Sequence, residues 1–162
     1  MAGTATALCA AMAAVGCAGG DGGSSGLSRD QLIERGDTVC ADGQARFRTI
    51  QAEPPRSGKE AQRQTARLIA SFREEIDALG ELEPPAEMRP SMDAYLRARE
   101  EAIPVLEKAA AAAGRNQPQQ YADANEELRR GQPRRYDLAK KVGFRICSRL
   151  PDPGDAADTA SG

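Results

Sequence analysis

Few side chains in this sequence have chemistry to offer. The chain contains no histidine, which removes the commonest general base and the commonest transition-metal ligand together. Diiron carboxylate bundles need Glu-x-x-His pairs, haem attachment needs Cys-x-x-Cys-His and zinc clusters need close Cys/His spacing, so none of these is written here. No glycine-rich phosphate loop precedes a helix either. Adjacent carboxylates occur as Glu74-Glu75, Glu100-Glu101 and Glu126-Glu127. Neighbours on a helix point about 100° apart and do not converge on one substrate, so these pairs read as solvated faces. Met88 and Met92, one turn apart, read as core packing, because two thioethers alone make a poor metal site. The expectation is no enzyme, no cofactor and no metal site. What remains is cysteine chemistry, at Cys9, Cys17, Cys40 and Cys147.

Cys17 closes the stretch Ala14-Val15-Gly16-Cys17, where a weakly apolar run meets a Gly/Ser-rich spacer, Ala18 to Gly26. This is the layout of a lipoprotein start: residues 1–16 form a removed signal and Cys17 carries the lipid. The apolar middle, Leu8 to Val15, is too short and too alanine-rich for a membrane span. The signal lacks the usual basic opening, and Ala14 stands where a lipobox usually has Leu, whereas the small Gly16 before the cysteine fits. An ordinary cleaved signal, an uncleaved anchor and a cytoplasmic Ala-rich start are the alternatives. An odd cysteine in an exported protein needs an explanation, and thioether lipidation of Cys17 supplies one. Cys9 leaves with the signal. Cys40 and Cys147, near the two ends of the helical region, then pair as a disulfide, which fits an oxidising compartment.

The elements that position these cysteines are helices. Ser28 and Gln31 form a capping box, and the stripe Leu32, Gly36, Val39, Cys40, Gly43, Phe47 and Ile50 turns Cys40 inward, although two interior glycines weaken the helix. After Pro54-Pro55, Ser57 and Glu60 start a second helix with the stripe Thr65, Leu68, Ile69, Phe72, Ile76 and Leu79. Its other face, Arg63, Arg67, Arg73, Glu74 and Glu75, reads as solvated. A third helix begins near Pro90 and carries Met88, Met92, Tyr95, Leu96, Ala102, Ile103, Leu106 and Ala110, with a kink expected at Pro104. A fourth opens at Asn116, should break or kink at Gly131-Gln132-Pro133 and ends at Gly143. Phe144 to Cys147 follows as a short extended piece. Residues 17–27 are a flexible tether and 150–162 a disordered tail by composition, leaving 28–149 as the folded domain. With 40% hydrophobic and only 4% aromatic residues, the core is modest and needs an added constraint such as the disulfide.

A formal net charge of −2 selects neither nucleic acid nor an acidic substrate. Locally, Arg129, Arg130, Arg134, Arg135, Lys140, Lys141, Arg145 and Arg149 face the single acid Asp137. Part of this excess should answer acids on helix three. The sharper reading makes Arg129, Arg130, Arg134, Arg135, Lys140 and Lys141 candidate contacts to anionic lipid head groups or wall polymer.

Taken together, Cys17, Cys40, Leu82 to Met88 (LEPPAEM), Tyr95-Leu96 and Leu138 to Cys147 (LAKKVGFRIC) resemble a group of predicted lipoproteins of high-GC actinobacteria, small helical bundles with a cysteine pair. The resemblance implies a fold and a location, the outer face of the cell membrane, but no activity. The expected fold is all-α, a four-helix up-and-down bundle with one disulfide. Two roles follow for a monomer held at the membrane by lipid. One is a structural or interaction protein meeting an envelope protein or anionic polymer; the other is a bundle holding a lipid or other small hydrophobe between its kinked helices. Nucleic acid is not an expected partner.

Overall fold

The structure is a computed structural model that describes residues 26–149. The expected signal, Cys17 with most of the tether, and the tail 150–162 lie outside the described residues. Helix α1 (Arg29–Gln51) opens on the expected capping box: Gln31 N donates to Ser28 Oγ at 3.3 Å, and Ser28 N donates to Gln31 Oε1 at 2.9 Å. Helix α2 (Gly58–Gly80) opens on Ser57, which accepts from Glu60 N at 3.2 Å. The Glu60 carboxylate turns instead to Arg56 N at 2.6 Å, so the second box is half made.

The third rod of the bundle is divided. Helix α3 (Arg89–Glu100) and helix α4 (Ile103–Gly114) are separated by a turn at Glu101-Ala102, with Pro104 in the first turn of α4. The proline has no N–H to give the preceding turn and its ring crowds it, so the expected kink becomes a break. The opposite correction applies to helix α5 (Pro118–Val142), which stays helical through Gly131-Gln132-Pro133. Pro133 withholds one donor from the ladder, and Arg135 Nη2 donates to the Leu128 carbonyl at 2.9 Å beside that turn. A Cβ on Gly131 would lie 2.7 Å from Arg135 Nη1, so the bare glycine lets the guanidinium fold back along the helix. Gln117 stands at the N-terminal cap position of α5 without a side-chain capping bond. Asn116 sits at φ 55° and makes the left-handed reversal after α4 rather than the expected cap, a conformation asparagine tolerates.

All described elements are helical, and they form the four-helix up-and-down bundle with α3 and α4 as one rod. Helix α2 packs on α1 and α4, and α5 packs on α3 and α4. Small residues allow the tightest of these approaches. Ala109, Ala112 and Ala113 are buried, and a Cβ on Gly58 would come within 2.5 Å of the Ala113 carbonyl. Helix α1, by contrast, has no broad face on α3 or α5.

The segment after α5 fills that seam. Gly143 ends α5 at φ 103°, in the left-handed region that glycine occupies without strain. Residues 144–149 then bend and turn rather than run extended. Phe144 is buried at an edge-to-face angle of 69° to Tyr95, ring centroids 5.8 Å apart. The buried Asp37 carboxylate accepts from Arg145 N and Ile146 N, each at 2.8 Å, and from Arg145 Nε at 3.2 Å. Gln44 Nε2 donates to the Ile146 carbonyl at 2.9 Å. Cys147 and Cys40 close a disulfide with their Cα atoms 5.3 Å apart.

Gly36 explains one of the two glycines that looked like weak points in α1. A Cβ there would fall into the Phe144 ring. On an exposed helix Gly→Ala gains about 1 kcal/mol. Gly36→Ala is expected to reverse that sign and cost about 1–3 kcal/mol by overpacking, read as a lower urea midpoint. Phe144→Leu in the same chain should recover part of the loss, and a stabilised single variant would contradict the packing described.

Candidate functional site

Against the disulfide lies a cavity of about 140 Å³, bounded by α1, α2, α3, α5 and the closing segment. Each element contributes through its ordinary helical spacing. Cys40, Gly43 and Phe47 come from one face of α1, and Phe72 and Glu75 from one turn of α2. Arg99 comes from the last turn of α3, and Gln132, Arg135 and Tyr136 from the turn of α5 beside Pro133. Gly43 is the second glycine of α1, and a Cβ there would sit 2.5 Å from Glu75 Oε2. Both glycines therefore make room for side chains from elsewhere.

The centre of the wall is an ion pair. Arg99 Nη2 stands 2.7 Å from Glu75 Oε1, and the two side chains are only 11% and 9% exposed. The Arg99 guanidinium lies over the Phe72 ring, 4.3 Å from its centroid, and 5.9 Å from that of Tyr95. Its Nε and Nη2 are buried and make no well-directed hydrogen bond, and the same holds for the Tyr95 hydroxyl. Burial raises the Glu75 carboxyl above its ordinary value of 4.5, and Arg99 offsets part of that rise. The folded protein thus holds this proton to a higher pH than the unfolded chain. The associated stability is full below 4.5 and is lost as pH rises through the raised value. Burial also pushes the Tyr95 hydroxyl up to about 12. Arg135 is lowered from its ordinary value, first by burial and then by the like charge of Arg99. Tyr136 is raised by burial, while Gln132 Nε2 donates to its oxygen at 2.7 Å.

Glu75 corrects the reading of α2's charged face. Glu74 is exposed as expected, but Glu75 is buried against Arg99. The sulfurs of Cys40 and Cys147 and a Glu75 oxygen lie within 4.8 Å of one another. While the disulfide is closed both sulfurs are bonded to each other, so this cluster offers one carboxylate and no thiolate.

The basic residues of α5 are spread over several surroundings. Arg129 and Arg130 meet Glu126 on their own helix, Lys140 meets Asp137 at 3.8 Å, and Arg134 reaches Glu101 across the bundle at 2.6 Å. Arg135 is half-buried in the cavity wall, and Lys141 is exposed. Between the break at Pro104 and the Gly131–Pro133 turn lies a groove lined by Ala98, Ala102 and Val105, but also by Glu101, Glu127, Arg134 and Arg135. Its rim is therefore charged. Arg99 and Asp37 carried no signal in the sequence beyond their types. A test of every polar residue on the inward stripes of α1 and α3 for a partner would have raised both.

Compared with known proteins, the chain matches no family model, no curated protein and no solved structure.

Removing one member of a buried pair strands the other charge, at a cost of about 3–5 kcal/mol, whereas removing both together is often nearly neutral. Glu75→Leu and Arg99→Leu are each expected to lower unfolding free energy by about that amount, and the double variant by less than either alone. Additive losses in urea titrations would contradict the pairing.

Proposed function

We infer that the protein is a lipid-anchored, extracytoplasmic bundle that serves the cell envelope by contact or binding rather than by catalysis. The observation that carries this reading is the pairing of Cys40 with Cys147. It leaves Cys17 as the mature chain's odd cysteine, beside a Gly/Ser tether and behind a short apolar stretch. A disulfide enclosing most of the domain also suits an oxidising compartment. Among the described residues, no helix is long and apolar enough to cross a membrane. Attachment in this reading comes from the thioether lipid. The resemblance to actinobacterial lipoproteins points the same way.

A contact role draws further support from α5, whose exposed Arg129, Arg130, Arg134 and Lys141 present cationic groups to the surroundings. An envelope protein or an anionic polymer is the partner this face suits. Exposed ion pairs such as Arg130–Glu126 hold these cations only weakly, so they stay available to an anionic surface. The alternative of a lipid held between the helix breaks is less favoured, because the groove there is rimmed by Glu101, Glu127 and Arg134.

Mass spectrometry of protein extracted from membranes is expected to find a diacylglyceryl group on Cys17 and no residues before it. A Cys17→Ser variant should appear in the medium or stay as the unprocessed precursor. An unmodified amino terminus that retains Met1 would overturn the reading.

A further inference from the structure

We propose that the cavity beside the disulfide is a binding site for a small organic monocarboxylate with a body about the size of one ring. This goes beyond the envelope reading and does not depend on it. The size is set by the walls: about 140 Å³, close to the roughly 150 Å³ of an apolar cavity known to take up benzene. The body is set by the aromatic lining. Phe72 and Tyr136 are half-buried, and Phe47 stands 38% exposed where the cavity is lined by α1, the one large hydrophobic side chain among the described residues left so open. A monomeric bundle gains nothing from an aromatic ring kept in water, whereas a ring-sized guest would cover it.

The charge is set by the imbalance of the lining. Among the described residues lining the cavity, Arg99 and Arg135 share it with the single carboxylate of Glu75. The two guanidiniums already disfavour each other, since Arg99 helps to lower Arg135. Glu75 does not satisfy all of Arg99: Nη2 is held by the Glu75 carboxylate at 2.7 Å, while the buried Nε makes no hydrogen bond. Arg99, stacked on Phe72 and with Nε unpaired, lines the cavity together with the half-buried Arg135, and two guanidiniums in one wall suit a carboxylate, which accepts charge-assisted N–H bonds. Glu75 in the same wall repels a second negative charge, which favours a monoanion over a phosphate dianion. Gln132 and Tyr136 already bond to each other, so they orient the aromatic wall and leave the acid to the arginines.

The probes are benzoate and phenylacetate, titrated into the full chain with its disulfide intact and followed by amide NMR shifts. At least one acid should bind saturably, with shifts centred on Phe47, Phe72 and Tyr136. Benzyl alcohol, a neutral shape mimic, is expected to bind at least about ten-fold more weakly, and Arg135→Gln to weaken the acid by a similar factor. Phe47→Ala, a change at an exposed side chain, should weaken the acid while leaving the circular dichroism spectrum intact. If Arg135→Gln fails to fold, the alcohol comparison and Phe47→Ala still decide. Absence of saturable binding by both acids, shifts centred elsewhere, or an alcohol bound as tightly as the acids would overturn the proposal.

Discussion

Without the segment that follows α5, the first helix would have its one broad packing face on α2. Leu32 and Cys40 of α1 share the core with Met92 and Tyr95 of α3 and Ala139 and Val142 of α5, and residues 143–149 add four kinds of interaction within a few residues. Phe144 is buried against Gly36, Asp37 accepts the amides of Arg145 and Ile146, Gln44 holds the Ile146 carbonyl, and Cys40 is bonded to Cys147. Their weights are large on the scale of a small domain. The disulfide spans 107 residues, and closing a loop of that length is worth about 4–5 kcal/mol in the chain-entropy account. Burying a phenyl ring contributes about 1.5–3 kcal/mol more, and hydrogen bonds to a charged acceptor about 1.5–3 kcal/mol each. Total stabilities of such domains are only about 5–15 kcal/mol. An alanine-rich, Trp-free core explains why this clamp is needed.

The same clamp creates the site. By pulling Cys147 onto α1, it brings the disulfide into one cavity lining with Gln132, Arg135 and Tyr136, the turn of α5 beside Pro133. Arg99 and Glu75 stand in the wall of this cavity as a buried pair that packing alone would not select. Buried ion pairs are weak evidence for stability. One set in a cavity wall, with Arg99 Nε unpaired, fits the binding role proposed for that cavity.

Much of the fold was legible because it rests on local rules. Capping at Ser28 and Ser57, glycine at the end of α5 and the apolar stripes each follow from a few neighbouring residues. The disulfide followed from cysteine arithmetic. What escaped was non-local. Gly36 and Gly43 looked like flaws in a helix until Phe144 and Glu75, distant in sequence, were seen to need their space. Glu75 read as half of a solvated pair because nothing near it in sequence reveals Arg99. The proline in α5 reads as a break because its neighbours in sequence do not reveal that the helix continues through it. Pro104 divides its helix. Asn116 was misassigned for a related reason: a capping residue and a left-handed turn residue share one composition.

The central claim is that residues 143–149 hold α1 in place, and amide hydrogen exchange reads this helix by helix. After reduction of the disulfide under native conditions, α1 and the closing segment are expected to exchange ahead of α2 and α4, as a separate opening. In the oxidised protein the α1 amides facing Cys147 should be as protected as those of α2. If α1 stays as protected as α2 and α4 after reduction, the closing segment does not hold it and the account is contradicted.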